Sequence, residues 1–385
     1  MQEGKRMAGN DIWTIRRILD WTRGYLERKG DEHPRLSAEW LLSNATGLSR
    51  VELYMNFDKP LQAAELDLMR DGVRRRGAGE PLQYVTGEMP FRHIVLRCEK
   101  GVLIPRPETE ILVDAALEGV DAATARGDVY DDAERRAAAR EEAEESTEET
   151  KRSSEVSEAR ERDDERFADD IRREQALVRG ETIADDEGLA QTGGLEGESA
   201  DESEPRKPYP SGPRVLEVGT GTGCIALSIA GERPGTSVWA TDLSARAVKL
   251  ARRNRDALDL GDFVRIREGD LVNGVPNELM GTFSVFVSNP PYIPSAVVPT
   301  LPMEVQGFEP GLALDGGPDG LDVFRRLLAV APQVLAPEGM LCVELFEDNV
   351  HAAAQLVREQ PGWAQVEVRE DLTHRPRVLV AIREA

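Results

Sequence analysis

The chain has 385 residues, 40% of them apolar, which suffices for two or so cored domains and excludes a wholly disordered protein. Its formal net charge of −23 argues against wrapping a nucleic-acid backbone, which is gripped mainly by cations. No apolar run nears the roughly 18–20 residues of a membrane helix, and the start Met1-Gln2-Glu3-Gly4-Lys5-Arg6 has no signal-peptide core, so a cytoplasmic protein without membrane contact is expected.

Residues 10–79 read as a small helical domain. Ile12, Ile15, Ile18, Leu19, Trp21 and Leu26, then Leu36, Trp40, Leu41 and Leu42, recur every three or four residues, and Gly30, Gly47 and Pro60 break the pattern. A third helix over 61–76 closes on the basic run Arg74-Arg75-Arg76, which is either a solvated face or a docking surface for a macromolecular partner. Residues 80–118 change texture. Glu80 to Gly87 and Phe91 to Leu103 are short β-prone pieces broken by Gly and Pro, which fits a hairpin-like connector. Arg106, fixed between Pro105 and Pro107, reads as a surface cation or as a substrate contact. A helix starts near Ile111, with Glu108 or Thr109 placed to cap it.

From about Gly119 to Pro208 the hydrophobic period is lost. Residues 128–207 hold 28 Asp and Glu against 13 Lys and Arg, a net of −15 that leaves only −8 for the rest. Such a stretch cannot bury enough apolar area to offset chain entropy, so a solvated, largely disordered insertion is expected, with a regulatory or partner-binding tail as the alternative. A further domain then spans 209–385. Strands are predicted over 213–218, 237–241, 263–267, 283–287, 340–345, 365–368 and 378–382, and helices over 224–230, 245–258, 321–335 and 349–358. This alternation predicts an α/β fold with a doubly wound, mostly parallel sheet.

Four features fall at the ends of successive strands, where open α/β sheets hold ligands. After the first strand comes Gly219-Thr220-Gly221-Thr222-Gly223, whose spacing is not that of dinucleotide enzymes, preceded by Glu217, an acid where an amino-acid ammonium could be met. The second ends in Asp242, placed for ribose hydroxyls. The third runs to Asp270 and Leu271, suited to an adenine amino group and ring. The fourth, over 283–287, ends in Ser288-Asn289-Pro290-Pro291-Tyr292, a side-chain amide stiffened by two prolines beside an aromatic face. In this order they describe an S-adenosylmethionine site next to a pocket for a planar amino group. Asn289 Oδ1 and the Pro290 carbonyl would each accept one N–H of the nucleophile, with Tyr292 packed against it, so catalysis rests on positioning and electrostatics.

Cys98, Cys224 and Cys342 form no metal or redox spacing and read as buried free thiols. The four histidines form no H-x-x-x-H pair, so no metal is expected.

With these motifs in place the chain resembles class I S-adenosylmethionine-dependent methyltransferases. Together with Glu80 to Tyr84, Leu103 to Glu110, Phe308-Glu309-Pro310 and Leu314 to Gly317, it is similar to the HemK/PrmC family of peptide chain release factor glutamine N5-methyltransferases. The resemblance implies methylation of the glutamine in the Gly-Gly-Gln loop of class 1 release factors, docked by the helical domain. It places the cofactor at Gly219 to Gly223, Asp242, Asp270 and Leu271, and the substrate at Asn289, Pro290, Pro291 and Tyr292. A monomer without direct nucleic-acid contact is expected. The acidic insertion departs from the family pattern. So does Glu344-Leu345-Phe346-Glu347-Asp348, which stands where a glycine- and glutamine-containing run is usual. Other targets for the same chemistry are a ribosomal-protein glutamine or a nucleic-acid exocyclic amine. A nucleotide-binding oxidoreductase is the reading from another class.

Overall fold

The order of the main sheet fixes where a ligand can sit. In the computed structural model, which describes residues 12–128 and 211–385, seven strands run in the order β5-β4-β3-β6-β7-β9-β8. They are β3 (Arg214–Val218), β4 (Ser237–Asp242), β5 (Val264–Glu268), β6 (Phe283–Ser288), β7 (Leu335–Glu344), β8 (Trp363–Glu370) and β9 (Pro376–Arg383). From β5 to β7 neighbours are parallel, while β9 is antiparallel to both β7 and β8. All five residues of β3 and all six of β6 are buried, as expected for central strands covered on both faces.

The chain order reverses between β3 and β6, which makes their carboxyl ends the switch point where open sheets bind ligands. Val218 pairs with Ser288 there, and the Ser288 hydroxyl donates to the Val218 carbonyl at 2.7 Å.

Around this sheet pack α6 (Thr109–Arg126), α7 (Cys224–Glu232), α8 (Ala245–Ala257), α9 (Asp322–Val334) and α10 (Val350–Arg358). Helix α6 runs on past Gly119, where the hydrophobic period was expected to end, to a left-handed cap at Gly127. Gly119 itself lies against the sheet: a Cβ there would stand 2.7 Å from Val285 Cγ2 and 3.2 Å from Met340 Sδ. Leu112, Val113, Ala116 and Val120 bury the rest of the helix face against the same core.

The amino-terminal region folds as α1 (Ile15–Arg28), α2 (Pro34–Thr46), α3 (Arg50–Met55) and α4 (Ala63–Arg76). They enclose a separate core of Ile15, Ile18, Leu26, Leu41, Leu42, Leu53, Met69 and Val73. The short α3 was not singled out by spacing; a capping box between Ser49 and Glu52 starts it. The basic run at the end of α4 is not a free cationic patch. Arg74 pairs with Asp71, Arg75 pairs with Glu80 at 2.6 Å, and buried Arg76 bridges Asp31 (2.7 Å) and Glu304 (2.8 Å).

The connector differs from its β-prone reading over 80–87. Leu82–Thr86 is a single turn of helix, α5, ended by left-handed Gly87. Buried Tyr84 donates its hydroxyl to the Val102 carbonyl at 2.6 Å, a tertiary contact that outweighs local strand propensity. The hairpin follows as β1 (Glu88–Phe91) and β2 (Ile94–Arg97). The acidic segment expected to be disordered lies outside the described residues.

Candidate functional site

One open cavity lies at the carboxyl edge of β3 to β6. Glu217, Gly219, Thr220, Gly221 and Thr222 line it from β3 and its turn, Asp242 from β4, Asp270 and Leu271 after β5, and Asn289 and Pro291 after β6. Arg106 and Thr109 close it from the connector and the start of α6. Residues separated by well over a hundred positions thus meet because parallel strands deliver their ends to one edge.

The glycine turn needs its glycines. Gly219, Gly221 and Gly223 have φ of 78°, 58° and 87°, a region that costs other residues energy. Open space follows: a Cβ on Gly219 would find only the Asn289 carbonyl, at 3.9 Å. The Gly221 N–H donates to Asp242 Oδ2 at 2.9 Å, and the Ser244 N–H to Oδ1 at 2.8 Å. Asp242 therefore braces the turn as well as facing the cavity, and burial raises its pKa.

Glu217 is completely buried. Its Oε2 accepts from the Thr220 hydroxyl at 2.7 Å and from the Ala226 N–H at 3.1 Å, while Oε1 has no hydrogen-bond partner. Burial pushes this carboxyl up to about 8, against the two hydrogen bonds that pull it down. A buried carboxylate oxygen with no protein partner at a cavity wall is matched to a donor arriving with a ligand.

Asp270 is half-exposed and pairs with Arg326 of α9 at 2.6 Å, so its acceptor capacity is shared with a cation that also lines the cavity. Leu271 is held at φ 55°, with its carbonyl taking the Thr241 hydroxyl at 2.7 Å.

Pro290 and Tyr292 are not among the residues lining the cavity. Pro290 is buried beside it. Tyr292 turns away, donating its hydroxyl to Glu344 Oε1 at 3.2 Å and stacking on Phe346 with ring centres 6.5 Å apart. Its hydroxyl and one ring face thus contact β7 and the loop behind it. Arg106 is also committed, with one nitrogen reaching both oxygens of buried Glu309 at 2.7 and 2.8 Å. Burial raises the Glu309 pKa and the guanidinium opposes it.

Two side chains not read as site residues bear on it, Thr109 on the cavity wall and Glu344 behind it. Glu108 is the cap residue of α6 and makes no side-chain cap bond, and Thr109 does not cap it either. Instead the Thr109 hydroxyl accepts from Asn289 Nδ2 at 3.1 Å. Glu344, at the end of β7, is buried and pushed up to about 7 by desolvation, against the Tyr292 hydroxyl bonded to its Oε1; its Oε2 has no hydrogen-bond partner. A carboxylate ending the apolar run Leu341-Cys342-Val343 could have been noticed by the reasoning that marked Glu217.

Known proteins bear on this arrangement. Residues 17–87 match the family described as PrmC N-terminal domain, and residues 206–300 the one described as Methyltransferase small domain. The release factor glutamine methyltransferase of Geobacter sulfurreducens is 36% identical over 335 residues, covering 87% of this chain and 85% of that protein. Its counterpart in Rhodopirellula baltica is 32% identical over 373 residues, covering 97% of each. That of Chlorobaculum tepidum is 31% identical over 366 residues, 95% of this chain and 96% of that one.

Proposed function

The chain belongs to the release factor glutamine methyltransferase family, and from that membership we propose how its own residues carry out the reaction. It is an S-adenosylmethionine-dependent enzyme of class I methyltransferase fold that methylates a glutamine side chain of release factors. The finer reading is that the target is the amide nitrogen of the Gly-Gly-Gln glutamine in class 1 factors.

When bound, S-adenosylmethionine supplies an electrophilic methyl group on a sulfonium. The residues present fit it. The left-handed glycine turn leaves room for close backbone approach, Asp242 keeps a second lone pair on each oxygen for ribose hydroxyls, and Glu217 Oε1 offers an unmatched acceptor for an ammonium.

An amide nitrogen is a weak nucleophile because its lone pair is delocalised into the carbonyl. Asn289 Oδ1 and the Pro290 carbonyl would each take one N–H of the substrate amide, fixing its plane and stabilising the positive charge that grows on nitrogen. Both acceptors suit this: among the described residues no donor reaches Asn289 Oδ1, and no backbone N–H takes the Pro290 carbonyl. A proton leaves the nitrogen once its bond to carbon forms, when it is acidic enough for water to accept. Tyr292 contributes by holding the loop from behind.

The observation that carries this reading is that Asn289 shares one cavity with the glycine turn and Asp242. The test is incubation with labelled S-adenosylmethionine and a purified class 1 factor, followed by peptide mapping. One methyl is expected on the Gly-Gly-Gln glutamine, and Asn289→Ala should lower turnover at least about 100-fold, the scale of a lost preorganised partner. Label on another residue, or near-normal turnover by the variant, would overturn it. We further place the reaction in the cytoplasm, where translation occurs, on a monomer that holds no nucleic acid; the charge of −23 supports the last point.

A further inference from the structure

The Asn289 amide has two ends that a static fold could present to substrate, and only one of them suits the chemistry. The carbonyl end accepts an N–H; the NH2 end would repel it. Asn289 Nδ2 donates to the Thr109 hydroxyl at 3.1 Å, across 180 positions of sequence. Thr109 is 1% exposed, so no bulk water competes for this contact.

A hydroxyl that accepts from one side must send its own proton elsewhere. Buried Glu344 lies nearby: its Oε1 takes the Tyr292 hydroxyl at 3.2 Å, and its Oε2 has no hydrogen-bond partner. Two hydrogen bonds are therefore fixed here: Tyr292 toward the carboxylate and Asn289 toward Thr109.

We propose that Thr109 is a positioning residue that fixes the side-chain amide of Asn289 with its oxygen toward the substrate. The role rests on the methyl-transfer reading given above for Asn289. Thr109 touches neither reacting atom in this scheme. It acts through Asn289, and its loss lets the amide rotate by half a turn, which replaces an acceptor with a donor.

The decisive comparison sets Thr109→Val, which keeps the shape and removes the hydroxyl, beside Thr109→Ser, which keeps the hydroxyl. Turnover on the release factor should fall about 10- to 100-fold in the valine variant and stay within about threefold in the serine variant, while S-adenosylmethionine affinity and KM for the factor move less than about threefold in both. In an Asn289→Ala background the valine substitution should add no further loss, because its only route to the reaction is gone. Equal activity of valine and wild type, equal losses in valine and serine, or additive losses in the double variant would each overturn the proposal. A neutron structure of the wild-type protein gives an answer that needs neither activity nor a folded variant: deuterium on the Asn289 atom facing Thr109 supports the proposal, and its absence there sinks it. Failure of the wild-type protein to methylate the factor would count against the functional reading alone, and the neutron result would still decide the amide's orientation.

Discussion

The Asp242 carboxylate accepts the backbone N–H of Gly221 at 2.9 Å, so the acid expected to meet a ribose also sets the shape of the glycine turn. Removing it should therefore cost more than a ligand contact. A hydrogen bond to a charged group is worth about 1.5–3 kcal/mol, and the turn loses its brace as well. Asp242→Ala should weaken S-adenosylhomocysteine binding by at least about 10-fold in calorimetric titration. A change below about threefold would show that neither role matters for affinity.

Stability should fall as pH rises through neutrality. Burial raises Glu217 from its ordinary 4.5 to about 8 and Glu344 to about 7. Between about 4.5 and 8 the folded chain then holds protons that the unfolded chain has released, so the unfolding free energy declines with pH across that window and levels off on either side. Carboxylates such as Asp319, which Arg325 holds at about 2, act in the opposite sense and only below the window. Melting temperature should drop from pH 5 to pH 8, and Glu217→Gln should flatten part of the slope. An unchanged slope in that variant would remove Glu217 from the account.

Arg106 was read as a substrate contact, yet it reaches both oxygens of Glu309, which is 6% exposed. Arg106→Ala leaves a buried carboxylate without its cation. Breaking a buried pair costs several kcal/mol, and the partial exposure of the guanidinium reduces this to about 1–3 kcal/mol in urea unfolding. The double variant Arg106→Leu with Glu309→Leu should recover most of that stability. If activity stays low in the double variant, Arg106 also meets the substrate; full recovery of activity would confine it to a structural role.

Gly119 packs where a Cβ would sit 2.7 Å from Val285 Cγ2. Gly119→Val should cost about 1–3 kcal/mol through overpacking, and it should push α6 off the sheet that carries Asn289. Urea unfolding reads the first effect and turnover the second. A variant as stable as wild type would mean the helix shifts freely at this point.

Much of the cavity wall built by β3 to β5 was legible from residue order. A strand, a glycine turn with alternating small residues and an acid at the end of the next strand are local features, and parallel pairing brings strand ends to a common edge whatever the loops do. The Asn289 loop was legible for the same reason, since two prolines fix its direction. Tyr292 was not. Its ring can face either side of that loop, and the choice is made by Glu344 and Phe346, which arrive from a strand and loop more than fifty positions later.

Thr109 illustrates the remaining gap. At the start of a helix the residue type suggested a cap, a role set by neighbours within one turn. Its observed partner is Asn289, brought close because α6 lies on β6 and β7 through Gly119 and the apolar residues around it. Periodicity tells which face of a helix is buried, but it does not tell which strand covers that face or how far the helix slides along it. The sequence by itself determined the strand and helix alternation, the turn and the amide loop, because each depends on bonds within a few residues. Tertiary packing alone decided which way Tyr292, Arg106 and the Asn289 amide point, because those directions depend on carboxylates and hydroxyls that distant segments bury beside them.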